Sequence, residues 1–160
     1  MSAFGRGKTE KCLRAGIYLI ENLYLAGASH PALQMEKNME EILIIGAGGF
    51  GREVLWTIND CNQINDKYSI IGFIDDDKSL HGQKIDGIPV LGGLEWFDNN
   101  YKKSVSCVIT VGDSIQRGKI VKQLEKNDPT YTNIIHPTVI FSKLVTIGEG
   151  TIIQAGSILT

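Results

Sequence analysis

Gly46-Ala47-Gly48-Gly49-Phe50-Gly51 sets three glycines at the spacing G-x-G-x-x-G, and each has a physical task. Gly46 permits a tight turn, Gly48 lets backbone approach a pyrophosphate, and Gly51 lets a helix pack closely on a strand. The chemistry is anion binding, with free backbone N–H groups and the positive end of a helix facing the phosphates. The spacing alone is a weak signal, because a glycine-rich strand exit with no ligand has the same composition. Its surroundings strengthen it. Asp75-Asp76-Asp77 closes a second apolar run, about where a carboxylate meets a ribose or base, and Gly112-Asp113 closes a third. The aspartates also suggest a cation site, yet no Glu follows at the calcium-loop distance. Carboxylates accepting hydrogen bonds from a ribose or base are the better account, and no metal is expected.

The elements that position these residues read as a regular alternation. Glu41 to Ile45 is a strand that runs through the glycines into a helix over Arg52 to Ile58, and Tyr68 to Ile74 is a second buried strand. Gly87 to Gly92 is a short extended piece, followed by a brief helix from Gly93 to Asn99 and a buried strand over Ser106 to Val111. Asp113 or Ser114 caps the next helix, with Ile115, Ile120, Val121 and Leu124 expected inward and Lys119, Lys122 and Lys126 toward its C-terminal half. Pro129 follows that helix, and Tyr131 to Ile135 is a last strand. This order predicts a Rossmann-like parallel sheet with helices on its faces. Ligands of such sheets sit at the carboxyl ends of the strands, so the glycines, the aspartates and Gly112 converge on one edge.

A different period takes over after that. Ile135, Phe141, Ile147, Ile153 and Leu159 recur at steps of six, with Val139, Val145, Thr151 and Ser157 at a second position of the same step. That is the signature of a hexapeptide β-helix, in which each hexad forms one face of a coil. About three hexads make a coil, and about three or more stacked units bury a core, so this stretch is the start of a coil stack and not a domain. The alternative is a hairpin turning at Gly148 to Gly150 and at Gly156, but its alternation breaks at Ile152-Ile153.

Composition bounds the partners. The chain has 160 residues, 42% of them hydrophobic, enough for one core and a fragment of another. A net charge of -2 with scattered Lys and Arg, and no basic stripe interleaved with aromatics, argues against nucleic acid. Cys12, Cys61 and Cys107 are odd in number and form no C-x-x-C pair, which fits a reducing cytoplasm better than a disulfide framework or zinc site. The apolar stretches fall far short of the ~20 residues that span a bilayer. Residues 1–38 read as a leader of uncertain origin, with a short amphipathic helix around Cys12 to Tyr24 as one option and Met39 as a plausible natural start. Residues 39–134 then form the Rossmann-like domain, and residues 135–160 the start of the β-helix.

From Glu41 onward the chain resembles the sugar O- and N-acyltransferases typified by sialic acid O-acetyltransferase and by the acetyltransferase of a UDP-linked 4-amino sugar in bacterial glycan synthesis. The resemblance covers residues 41–160 and is carried by Ile42 to Glu53, Gly72-Phe73-Ile74-Asp75-Asp76-Asp77, Gly82, Gly87 to Gly92, Val111-Gly112-Asp113 and Ile135-His136-Pro137. It implies a small Rossmann-like domain that holds a nucleotide-sugar, and a left-handed β-helix that trimerises and binds acetyl-CoA between subunits. It also implies a nucleotide-sugar site at Gly46, Ala47, Gly48, Gly49 and Gly51, with Asp75 and Asp76 near the nucleoside and Gly112 closing the pocket. Some relatives carry His where this chain has Phe50, so no side-chain contact is carried over to that position. The resemblance places the general-base His on a later coil, beyond Thr160, and no catalytic residue is assigned.

His136 sits beside Pro137 at the entry to the first coil, where a structural or capping role outweighs catalysis, while His81 reads as a solvated loop residue and His30 belongs to the leader. Three function classes remain open. An acetyl-CoA-dependent sugar acetyltransferase predicts binding of a nucleotide-sugar, and an NAD(P)-dependent oxidoreductase predicts saturable NADH binding. A non-catalytic nucleotide-binding module predicts assembly through the hexads alone.

Overall fold

The computed structural model describes residues 39–160. The leader at 1–38, with its candidate helix, Cys12 and His30, lies outside the described residues. The first strand, β1 (Glu40–Ile45), runs into α1 (Gly49–Ile64), and β2 (Tyr68–Ile74) follows. After β3 (Lys84–Ile85) and β4 (Ile88–Gly92) come α2 (Leu94–Asn100), β5 (Ser106–Ile109), α3 (Ser114–Leu124), a short 3-10 turn (Glu125–Asn127) and β6 (Thr130–Tyr131). These form a six-stranded sheet in the order β3-β4-β2-β1-β5-β6, in which β3 alone is antiparallel. From β1 the chain builds outward to β2 on one side and later to β5 on the other, so the order reverses beside β1. A crevice outside the strand ends is expected at such a reversal.

The apolar run of β1 follows from burial on both faces. Ile42 and Ile44 pack with Val54, Leu55 and Ile58 of α1, whereas Leu43 and Ile45 pack with Phe97 of α2 and Leu124 of α3. A strand covered on both sides has no polar face to alternate with. On α1 the buried residues Gly51, Val54, Leu55 and Ile58 recur at three and four, a single stripe turned to the sheet. Each large side chain in that stripe contributes about 1.5–3 kcal/mol through burial. The turn into β2 is tied by Asn62, whose Oδ1 accepts from the N–H groups of Lys67 (3.1 Å) and Tyr68 (2.9 Å) and whose Nδ2 donates to the Tyr68 carbonyl (2.8 Å).

Two expectations need correction and a third gains a partner. Ile115 points outward and is 69% exposed. It lies nine residues before Leu124, and nine steps of about 100° place it on the opposite side of the helix. The extended piece at Gly87 to Gly92 is the second arm of a hairpin with β3, turned at Asp86 (φ +47°) and Gly87 (φ +85°). Asp-Gly is a strong two-residue hairpin signal. The single last strand is two strands. Thr130–Tyr131 pairs with Ser106–Cys107 at the sheet edge, and β7 (Ile134–Ile135) leaves the sheet.

β7 pairs in parallel with β9 (Ile152–Ile153), and β8 (Ile140–Phe141) pairs in parallel with β10 (Ile158–Leu159), each partner eighteen residues on. Eighteen residues is three hexads, and parallel pairing rules out the hairpin alternative. Corner bonds repeat with the same step: Val139 N donates to His136 O (3.0 Å), Val145 N to Ser142 O (3.1 Å) and Ser157 N to Gln154 O (3.4 Å). At the fourth corner the Thr151 hydroxyl donates to Gly148 O at 2.8 Å. Of the period-six apolar residues, Ile153 is buried, Ile135, Ile147 and Leu159 are half-buried, and Phe141 is half exposed. The segment is fixed to α1: Cys61 Sγ donates to Ile135 O (3.3 Å), Thr57 Oγ1 bonds Gln154 Oε1 (2.5 Å), and His136 Nε2 bonds Asp60 Oδ2 (3.1 Å). Tyr68 adds a bond from its hydroxyl to Asn133 O at 3.0 Å.

Two consequences are measurable. A Cβ on Gly51 would overlap the Gly46 carbonyl oxygen, whereas one on Gly49 meets nothing within 4 Å. In urea denaturation, Gly51→Ala is expected to cost about 1–3 kcal/mol, and Gly49→Ala to be neutral or stabilising by up to ~1 kcal/mol. Equal effects of the two would show that α1 does not approach β1 this closely. Burial pushes the Cys107 thiol up to about 12, so it stays neutral at and above neutral pH. Iodoacetamide at pH 8 should leave Cys107 unmodified in the native chain and label it on unfolding. Labelling at the rate of a free thiol would place Cys107 outside the core.

Candidate functional site

The strand ends and the glycine turn are joined by backbone bonds first. Gly46 N donates to Ile74 O at 2.7 Å, and Thr110 N donates to Ile45 O at 2.8 Å, so the ends of β1, β2 and β5 are level. Gly46 has φ +109°, in the region that favours glycine, and a Cβ there would come to 3.0 Å from Thr110 Oγ1. Thr110, buried, holds the same turn from below: its hydroxyl lies 2.7 Å from Gly46 O and 3.0 Å from Ile45 O. Thr110 was not among the residues expected from sequence. A Thr directly after a buried strand carries no pattern of its own.

Beyond Ala47 the turn opens. Gly48 caps α1 without any side-chain hydrogen bond, and no acidic residue stands in the first turn. Gly48 and Gly49 are exposed, and a Cβ on either would point into open space. The N–H groups of a helix's first turn have no acceptor within the helix, and this end carries the positive pole of the macrodipole. An anion of phosphate size has both room and donors here. Gly51, by contrast, is buried under the Gly46 carbonyl, so its role is packing and not ligand contact.

The aspartates divide their work. Asp75 Oδ2 accepts from Ala47 N at 2.8 Å, and its Oδ1 accepts from Asp77 N at 2.9 Å. Asp76 Oδ1 accepts from Leu94 N at 2.8 Å at the start of α2, and Gly93 is needed there because a Cβ would meet that oxygen at 2.6 Å. Asp77 takes two hydrogen bonds from Ser79, which hold its carboxyl below the usual carboxylate range. His81 is exposed, as expected of a loop residue, but it is tethered: its Nε2 lies 2.7 Å from Asp75 O. A carbonyl only accepts, so Nε2 carries the proton.

These elements enclose a cleft lined by Ile45, Gly46, Ile74, Asp75, Asp76, Leu94, Val111 and Ile120. Of the expected residues, Gly46, Asp75 and Asp76 line it. Ala47 is buried beside it, Gly48 and Gly49 lie one and two residues further along the turn, and Gly112 follows Val111 at its rim. Gly112 is exposed with open space at its Cα, and Arg117 Nη1 fixes that turn by donating to Val111 O at 3.0 Å. A wider groove lined by Lys78, His81, Gly93 and Trp96 adjoins the cleft and shares Asp76 and Leu94 with it. Apolar walls with few convergent polar groups suit an organic ligand, and the open helix end suits its phosphates.

His136 lies away from this cleft. Its Nε2 faces Asp60 Oδ2 of α1 at 3.1 Å, and its Nδ1 accepts from Thr138 N at 3.1 Å within its own turn, so one ring nitrogen ties the segment to α1 and the other braces the local chain. Among the described residues no three His, Cys, Asp or Glu side chains gather as a metal set, and no helix is long and apolar enough to cross a membrane.

A family model described as the PglD N-terminal domain matches residues 41–124. UDP-N-acetylbacillosamine N-acetyltransferase of Bacillus subtilis (strain 168) is 28% identical over 126 residues, which is 73% of this chain and 52% of the relative. The acetyltransferase domain of PglB from Neisseria gonorrhoeae superposes with a TM-score of 0.64 at 25% identity, over 74% of this chain and 55% of that one. The same domain has also been solved with acetyl coenzyme A, at a TM-score of 0.60 and 26% identity over 76% and 59% of the two chains. PerB from Caulobacter crescentus, solved with CoA and GDP-perosamine, superposes with a TM-score of 0.60 over 75% and 54% of the two chains, and at 24% identity that likeness concerns the fold alone. The chain thus spans about half the length of the relatives it matches. With the glycine turn, the aspartates and the cleft all inside the matched span, the chain belongs to the PglD N-terminal domain family.

Proposed function

We propose that this chain is the nucleotide-sugar-binding part of an acetyl-CoA-dependent sugar N-acetyltransferase acting on a nucleotide-linked amino sugar in bacterial glycan synthesis. The observation that carries the reading is the uncapped start of α1, which offers open amides beside a cleft at the ends of β1, β2 and β5. Residues 39–134 are the nucleotide-sugar domain, residues 135–160 begin a left-handed β-helix, and residues 1–38 remain a leader. Parallel pairing at eighteen residues and corners at every sixth support the β-helix.

The diphosphate lies against Gly48 and Gly49, held by amides and the helix dipole. Asp76, exposed and with Oδ2 unpaired among the described residues, faces the nucleoside, and Gly112 borders the pocket. The nucleotide is UDP, in keeping with the UDP-sugar in the name of the Bacillus relative. Acetyl-CoA is the acyl donor, as in the acetyl coenzyme A complex of the Neisseria domain. In the reaction the sugar amine attacks the thioester carbonyl, CoA thiolate leaves, and a base takes the amine proton. No described His is suited to that step, since His136 is bonded to Asp60 and Thr138 and His81 to Asp75. The base is assigned to a later coil of the whole protein. That protein is a cytoplasmic homotrimer, joined through outward side chains such as Ile140 and Ile158, which are 64% and 68% exposed on neighbouring strands.

Calorimetric titration with a UDP-linked amino sugar should give saturable binding by this chain alone. Gly49→Asp places a carboxylate at the first helical position, where it stabilises the helix by about 0.3–1 kcal/mol but repels the diphosphate. We expect at least about tenfold weaker binding with undiminished thermal stability. Absence of heat with UDP-, GDP- and CMP-linked sugars would overturn the reading, and saturable NADH binding would favour the oxidoreductase.

A further inference from the structure

We infer that Asp75 is a positioning residue whose carboxylate holds the phosphate-facing turn in shape and does not touch the nucleoside. This rests on the function proposed above and reverses the role that an acidic strand end ordinarily suggests. Every polar atom of Asp75 is already engaged. Its N–H donates to Gly92 O at 2.9 Å, its carbonyl accepts from His81 Nε2 at 2.7 Å, Oδ1 accepts from Asp77 N at 2.9 Å, and Oδ2 accepts from Ala47 N at 2.8 Å. The residue is half-buried, so turning its carboxylate to a ribose would strand two backbone donors.

The donor at Ala47 matters most. Ala47 is 1% exposed and stands between Gly46, at φ +109°, and the open Gly48. A buried N–H deprived of its acceptor is costly, and the bond to a carboxylate is a charge-assisted one that directs the peptide plane. The orientation of the Ala47 amide sets the direction in which Gly48 leaves, and with it the aim of the following N–H groups. Asp76 differs in each respect: it is exposed, it uses one oxygen on Leu94 N, and its other oxygen has no bond among the described residues. The two neighbours therefore divide the work, Asp75 shaping the turn and Asp76 facing the ligand.

The test combines a ligand-free readout with a ligand-bound one, using UDP as the probe and the whole 160-residue chain. In the unmodified protein, a scalar coupling through the hydrogen bond between the Ala47 amide nitrogen and the Asp75 carboxyl carbon should be present without UDP and persist with it. In Asp75→Ala, amide hydrogen exchange at Ala47 should rise at least about tenfold while β1 and β5 stay protected, and UDP affinity should fall about tenfold or more. Asp75→Asn, which keeps one acceptor oxygen, should fall between. The ratio of affinities for UDP and for its analogue lacking the 2′ hydroxyl should be the same in all three proteins. Loss of the coupling on UDP addition, an unchanged Ala47 exchange rate in Asp75→Ala, or collapse of that ratio toward one would each overturn the inference. Should the unmodified chain bind no UDP, the proposed function fails, while the coupling and the exchange rates still decide whether Asp75 holds the turn.

Discussion

The site depends on how closely the first helix approaches the end of the first strand. Gly51 lies under the Gly46 carbonyl with no space for a methyl group, and Thr110 closes on the same carbonyl from the neighbouring strand. That three-way contact fixes where α1 begins. Because Gly48 caps it with no side chain and no carboxylate follows in the first turn, the helix starts with its donors unspent. Packing against the sheet and readiness for an anion are therefore one arrangement: the glycine that lets the helix in also aims its N-terminus along the strand ends.

The same helix ties the site to the coil that follows. Val54, Leu55 and Ile58 bury one stripe of α1 on the sheet, while Thr57, Asp60 and Cys61 bond Gln154, His136 and Ile135 of the first coil. Ile134, fully buried, joins the core beneath α1 directly after the chain leaves the sheet edge. A ligand held at one end of α1 thus has a fixed relation to the coil held along its side. If the chain works as the transferase proposed above, a rigid strut of this kind limits the freedom lost when the reacting groups meet.

How much of this was legible in the sequence depended on how local its cause was. β1 and β2 could be read almost to the residue, because a strand buried on both faces has to be continuously apolar, and the glycine spacing announced the turn between β1 and α1. The period of six was readable for the same reason: each corner repeats a local bond. The hairpin at Asp86-Gly87 had a signal that went unused. Ile115 was misplaced because three inward residues of α3 suggested a stripe that the helical angle does not extend to it. The strand expected over Tyr131 to Ile135 divides because its second half has a partner eighteen residues on, which only the tertiary pairing reveals. Thr110, the tether from His81 to Asp75, and the use of Asp75 to hold Ala47 are contacts between distant segments, and no pattern along the chain marks them.

The open helix end at Gly48 and Gly49 lies within the span that matches the PglD N-terminal domain family, and it is where the proposed diphosphate would sit. Mapping backbone amide shifts during titration with a nucleoside diphosphate examines that place directly. The account predicts that the largest shifts fall on Gly48, Gly49 and Phe50, with smaller ones at Asp76 and Gly112 and none along the face of α1 that carries the coil. Shifts centred instead on the separate groove lined by Trp56, Asp60, His136 and Gln154 along the side of α1, or none at the glycine turn on saturation, would contradict it.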